Sequence, residues 1–120
     1  MSTGARSVEL EDPGPAQVTP AEMAALVEVS HRLGYRVAAH SEGVAGTELA
    51  IRAGVDTIEH GMYLNQRPDL LEAMAAHGQV LVPTLSGYYW MAGLGDAIDP
   101  EQGSEHPEML ASIVELAHHN

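Results

Sequence analysis

Arg32-Leu33-Gly34-Tyr35-Arg36-Val37-Ala38-Ala39-His40 and Arg52-Ala53-Gly54-Val55-Asp56-Thr57-Ile58-Glu59-His60 have the same layout. A helical segment ends on Gly, a β-rich run follows, and the run closes on His. A third copy, Ala76-His77-Gly78-Gln79-Val80-Leu81-Val82-Pro83-Thr84, closes on Thr instead. A short strand joined to the next by a helix is the repeating unit of a parallel sheet, because parallel neighbours need a long crossover. The repeat therefore predicts an α/β fold of about three parallel strands with four helices, less than half of the count in an eightfold (β/α) barrel.

The segments around the repeat support this reading. Thr19-Pro20-Ala21-Glu22 is a complete helix start, with Thr19 as N-cap, Pro20 at the first helical position and Glu22 closing a capping box. Met23, Leu26, Val27 and Leu33 give that helix an apolar face, and Gly34 ends it. Tyr35 to Ala39 is the expected first strand, ending at His40. A second helix is expected from about Thr47 to Ala53, a second strand from Val55 to Glu59, and a loop from Gly61 to Arg67. Pro68 opens a third helix and Gln79 to Pro83 forms the third strand. Residues 1–18 read as irregular, as does the Gly-rich stretch 86–106, and Pro107 to about His118 reads as a fourth helix. The whole, 1–120, is read as one domain.

Composition narrows the chemistry. The 120 residues hold 17 acids, five basic residues (all Arg) and seven His, a net charge of −12 with no Cys and no Lys. There is no disulfide framework, thiolate metal site or lysine Schiff base. The acidity argues against nucleic acid and anionic membranes as partners. No basic start with an apolar run marks a signal peptide, and no apolar stretch is long enough to span a bilayer, so the expected location is the cytoplasm.

His40 and His60 are the leading candidates for metal ligation. Both stand at carboxyl ends of strands, where parallel α/β folds place functional groups, and imidazole is the commonest nitrogen ligand. Strand alternation, grouping Ala38 with His40 and Ile58 with His60, leads to the expectation that both rings share one face. Glu42 is read either as a site residue or as a solvated loop carboxylate. Glu59 is expected on the face opposite His60. Thr84 either bonds substrate or is structural. Tyr63 and Tyr88, with Tyr89 and Trp90, either line a substrate pocket or cover the barrel edge. His31 and His77 sit at helix C-termini, where structure explains them. His106, His118 and His119 read as surface. Gly43 and Gly46 are a weak signal for an anion-binding loop.

Three runs, Val37-Ala38-Ala39-His40-Ser41-Glu42-Gly43, Ala50 to Gly61, and Leu81-Val82-Pro83-Thr84-Leu85, resemble the amidohydrolase superfamily. The likeness is to its imidazolonepropionase-like and prolidase-like branch, which includes Xaa-Pro and Xaa-Arg dipeptidases, and extends from Met1 to about Trp90. It implies that His40 and His60 end barrel strands 5 and 6 and bind a divalent metal, usually zinc, in a mononuclear or binuclear site. It also implies hydrolysis of C–N bonds in a small amide, dipeptide or cyclic amide. Met1 to Ala5 is similar to the end of family strand 4. The family's HxH pair, carboxylated lysine and strand-8 Asp have no counterpart in the 120 residues, and Asp96 and Asp99 do not match that Asp motif. The expectation is therefore a fragment covering strands 5 to 7, weakly active or inactive alone, that self-associates through exposed barrel edges. The competing expectation is a non-catalytic α/β interaction module.

Overall fold

The computed structural model describes residues 2, 3 and 14–89. The expected helix at Pro107–His118, the stretch 90–106, and His106, His118 and His119 lie outside these residues. The element order is α1 (Pro20–Arg32), β1 (Ala38–Ser41), α2 (Val44–Ala53), β2 (Thr57–His60), a 3-10 turn (Leu64–Gln66), α3 (Pro68–His77), β3 (Val80–Val82) and α4 (Leu85–Tyr89). The three strands form one parallel sheet in the order β1-β2-β3. The fold is thus the parallel α/β array that the repeat predicts, consistent with the partial (β/α) barrel that the family resemblance implies.

The repeat has a concrete local cause. The N–H of Gly34 bonds to the His31 carbonyl, and that of Tyr35 to Ser30. Gly54 and Val55 repeat the pattern with Ile51 and Ala50, and Gly78 and Gln79 with Ala75 and Met74. Each is a Schellman-type ending that needs a left-handed residue, supplied by glycines with φ of 81°, 84° and 67°. No neighbouring atom would meet a Cβ at any of the three, so the backbone, not crowding, demands glycine.

α1 starts as the sequence predicts. The Glu22 N–H donates to Thr19 Oγ1 and the Thr19 N–H to Glu22 Oε2 at 2.8 Å, which completes the capping box. Only Met23 and Val27 of the expected apolar face are buried; Leu26 and Leu33 are exposed.

Several boundaries move. β1 runs from Ala38 to Ser41, not from Tyr35, because the Tyr35 N–H is taken by the α1 ending and its side chain is exposed. β2 and β3 are likewise shorter than expected. α2 begins at Val44, three residues before the expected Thr47. Gly43 is its extended N-cap, and the Thr47 hydroxyl donates back to the Gly43 carbonyl at 2.8 Å. The stretch expected to be irregular from residue 86 opens instead with α4, which Thr84 enters from a left-handed turn at φ 54°.

One face of the sheet is the core. Ala39 and Ile58, partners across β1 and β2, pack with Ile51, Val55, Leu64, Leu70 and Met74 from the crossovers. The opposite face carries Ala38, His40, Thr57, Glu59, Val80 and Val82, alternating with the core residues, and Val80 and Val82 are exposed.

Asp56 ties the amino ends of all three strands together. Its Oδ2 accepts from the Val37 N–H at 2.7 Å and lies 2.8 Å from His31 Nε2. Its own N–H donates to the Val37 carbonyl, and its carbonyl accepts from the Val80 N–H. The Val37 N–H first, and His31 second, hold the Asp56 carboxyl below its ordinary range. A lowered carboxyl pKa stabilises the fold fully above the unfolded value of 3.8, and that contribution is lost as pH falls through the lower folded value. Thermal melts recorded from neutral pH to below 3.8 should therefore fall less steeply with acid for Asp56→Asn than for the wild type. Asp56→Asn should also melt lower at neutral pH; parallel profiles for the two proteins would disprove this role.

Candidate metal centre at the carboxyl edge of the sheet

The register of β1 and β2 sets His40 opposite Glu59 and Ser41 opposite His60. Strand alternation alone would then put the two imidazoles on opposite faces, with His60 on the core side beside Ile58. The rings nevertheless meet edge-on, with centroids 4.7 Å apart. The reason is the backbone of His60, whose φ of 73° takes it out of the strand pattern as β2 ends. Glu59 also differs from expectation: it lies on the His40 face and accepts from Thr57 Oγ1 at 2.7 Å.

Left-handed backbone at a non-glycine residue is costly, on the order of 1–3 kcal/mol. Here it recurs at His60, Tyr63 and Thr84, all at or just beyond the carboxyl ends of β2 and β3. The next residue, Gly61, is also left-handed, at φ 63°. A Cβ there would run into Leu81 and Leu64, so only glycine lets the chain turn tightly enough to present His60.

Glu42 joins the pair. One donor atom from each of His40, Glu42 and His60 lies within 4.8 Å of the others. His40 and His60 are partly buried, and Glu42 is only 5% exposed. Burial pushes the His60 pKa down, with nearby His40 adding to the effect and Glu42 and Glu59 opposing it. A lowered pKa favours the neutral imidazole, the form that ligates metals.

The other candidates are placed as follows. Thr84 Oγ1 lies 3.0 Å from His60 Nδ1 and donates to the Val82 carbonyl at 3.3 Å. The donor and acceptor roles in the Thr84–His60 contact follow the tautomer of the imidazole. Tyr63 is partly buried at the head of the 3-10 turn. Tyr88 and Tyr89 fall in α4, but their side chains, and all of Trp90, lie outside the described residues. His31 pairs with Asp56 and His77 ends α3, both away from this cluster. Gly46 serves packing: a Cβ on it would collide with the Ser2 carbonyl and Thr3 Cγ2.

Ser2 and Thr3 are the residues that the sequence reading missed. Both are fully buried. The Ser2 N–H and hydroxyl donate to the His40 carbonyl at 2.9 and 2.8 Å, and Ser2 Oγ is 2.7 Å from Ser41 Oγ. Thr3 Oγ1 accepts the Glu42 N–H at 2.8 Å. They flank β1 as a further strand would and fix the backbone of both donor residues. The signal was the likeness of Met1–Ala5 to the end of a barrel strand, which composition alone does not reveal.

The arrangement defines a partial (β/α) barrel with a His/Glu/His donor set at the carboxyl edge of its sheet. The model of the amidohydrolase family matches residues 1–102, and the chain belongs to that family. It is 34% identical over 86 residues to ochratoxinase of Aspergillus niger, covering 72% of this chain and 18% of that protein. It is 38% identical over 73 residues to an uncharacterized protein of Mycobacterium tuberculosis, covering 61% of this chain and 19% of that one. Among solved structures it superposes on A. niger ochratoxinase with a TM-score of 0.77 at 28% identity, covering 96% of this chain and 26% of that one. A Xaa-Pro dipeptidase with methionine bound in its active site gives 0.69 at 30% identity, covering 86% of this chain and 26% of that one. The chain thus spans about a fifth of the curated relatives' length and a quarter of the solved chains.

The family is metal-dependent, and the donor set fits a divalent ion: two imidazoles and a carboxylate converge within reach of one centre. Thr84→Val removes the hydroxyl that meets His60 Nδ1 and should weaken binding of a divalent ion about tenfold or more, as loss of a partner behind a ligating His does elsewhere. Metal titration of the two proteins would check this; equal affinities would refute the role of Thr84.

Proposed function

We propose that this chain carries the strand-5 and strand-6 arm of an amidohydrolase centre, with His40 and His60 as ligands of a zinc ion. The observation that carries the reading is the convergence of His40, Glu42 and His60 within 4.8 Å, in a chain of this family. The reaction proposed is hydrolysis of an amide C–N bond in a small substrate, a dipeptide or cyclic amide, in keeping with the dipeptidase among the neighbours. A metal ion there supplies Lewis-acid polarisation of the scissile carbonyl. The chain's own residues do the rest of what is on view. Thr84 meets His60 at Nδ1, and Ser2 pins the His40 backbone. Tyr63, the N-cap of the 3-10 turn that follows β2, and Tyr88, on α4, are proposed to meet the substrate. Two imidazoles alone bind zinc weakly, so turnover by this chain in isolation is expected to be slight.

The test is metal content by mass spectrometry on a tag-free sample. The wild type should carry zinc, and His40→Ala and His60→Ala should lose it together with any dipeptide hydrolysis. Equal zinc in wild type and variants would overturn the reading.

A second reading, a self-associating α/β module, is favoured by one observation. Val80 and Val82 are exposed at 55% and 40% on a sheet whose β3 has a single strand partner among the described residues. We propose that copies of the chain associate through these barrel edges, in the cytoplasm, and that the net charge of −12 keeps nucleic acid and anionic membranes from being partners. Among the described residues no helix is long and apolar enough to cross a membrane. Sedimentation velocity should show dimers or larger species that dissociate in Val80→Lys; a monomer across the micromolar range would rule out association.

A further inference from the structure

β1 and β2 hand over to their helices differently. Two residues, Glu42 and Gly43, connect β1 to α2, whereas seven, Gly61 to Arg67, connect β2 to α3. The longer connection has more freedom to lose on folding and needs a fixing point. We propose that Arg67 is a positioning residue for the centre: by clamping this loop to α2 and α3, it holds the left-handed turn that presents His60. The inference rests on the metal reading above and names a residue outside the donor set.

Three observations carry it. First, the guanidinium is used as a fork. Arg67 Nε and Nη2 donate to Asp69 on α3 at 2.9 and 2.8 Å, and Nη1 donates to Glu48 on α2 at 3.0 Å. Glu48 accepts in turn from Arg52 Nε at 2.8 Å, so charges of alternating sign run from one helix to the other. Second, the Arg67 backbone joins the elements on either side of it. Its N–H donates to the Leu64 carbonyl at 2.9 Å, closing the 3-10 turn, and its carbonyl accepts the Leu70 N–H at 2.9 Å, opening α3. Third, the loop between Arg67 and His60 has no slack. The Gly61 N–H donates to the Ser41 carbonyl at 2.9 Å, Met62 and Leu64 are fully buried, and the Gln66 N–H donates to the Tyr63 carbonyl at 3.0 Å. A displacement of Arg67 is therefore passed on to the turn at His60 and Gly61. Every partner named belongs to this chain, so the clamp is complete without the parts of the relatives that lie beyond it.

The residue type matters. A lone ion pair at a partly exposed site contributes little, because two long side chains must be ordered for it. A planar guanidinium that meets two carboxylates at once loses less freedom per bond, and lysine offers the charge without the fork. Arg67 is also the first cause that holds the Glu48 and Asp69 carboxyls below their ordinary range.

The experiment combines amide hydrogen exchange with zinc titration of the same proteins. Arg67→Gln should speed exchange at Gly61 and Gln66 by about fivefold, the fold-change of one well-placed ion pair. Asp56 and Val80, whose amides are bonded at the amino edge, should exchange as in the wild type. Arg67→Lys should fall between the two. Raising salt to about 1 M, where screening acts within about 3 Å, should loosen Gly61 and Gln66 in the wild type and change little in Arg67→Gln. This salt arm needs no substitution and decides the matter if Arg67→Gln does not fold. Arg67→Gln should also weaken zinc about fivefold where His60 is present and leave it unchanged in a His60→Ala background, a dependence that a merely structural role would not produce. Equal exchange at Gly61 in wild type and Arg67→Gln overturns the proposal. A looser loop with unchanged zinc affinity, while His60→Ala weakens zinc, also overturns it and leaves the metal reading standing. If His60→Ala binds zinc as tightly as the wild type, the metal reading falls and the positioning role falls with it.

Discussion

Everything at the carboxyl edge depends on the parallel register that sets Ser41 opposite His60. A shift of one residue would carry every side chain of β2 to the other face and bury Glu59 where Ile58 now packs. The hydrophobic cost of that exchange fixes the register. Ile58 and Ala39 meet on the core side with Ile51 and Val55, and the polar residues are left for the interior face of the barrel. Core packing thus determines where the imidazoles end up, although neither belongs to the core.

Register alone does not bring the imidazoles together. It leaves His60 one step beyond the partner of His40, on the wrong side for contact. The chain resolves this with backbone strain. His60 adopts a left-handed conformation, Gly61 follows it, and Thr84 does the same at the end of β3 so that its hydroxyl meets His60 Nδ1. Such strain persists only where surrounding structure over-determines it, and it clusters at functional sites. The amino end of the sheet shows the opposite character. There Asp56 ties the strand starts together by hydrogen bonds, the behaviour expected of the stability face of a (β/α) barrel.

Much of this was legible in the sequence. The glycine after each of α1, α2 and α3 announced the repeat because its Schellman ending is local and needs only neighbouring carbonyls. The capping box at Thr19 and Glu22 was legible for the same reason. The histidines at strand ends were found by their place in the repeat. The boundaries were less legible: Tyr35 looks like a strand residue, but its N–H was already used by the helix before it. The start of α2 was set too late: Thr47 already lies inside the helix, and its hydroxyl bonds back to the Gly43 carbonyl.

The sequence by itself determined the βα periodicity, the family, and two of the three donors at the candidate centre, because these follow from contacts within a few residues. The tertiary structure decided which face each donor takes, that Glu42 is buried beside the histidines, and that Ser2 and Thr3 hold their backbone. Those outcomes involve residues 20 to 40 positions apart in the chain, and no local preference encodes them. A left-handed histidine is disfavoured by its own chemistry. It exists here because the core on one side and the strand beyond it leave the chain no other way to end β2.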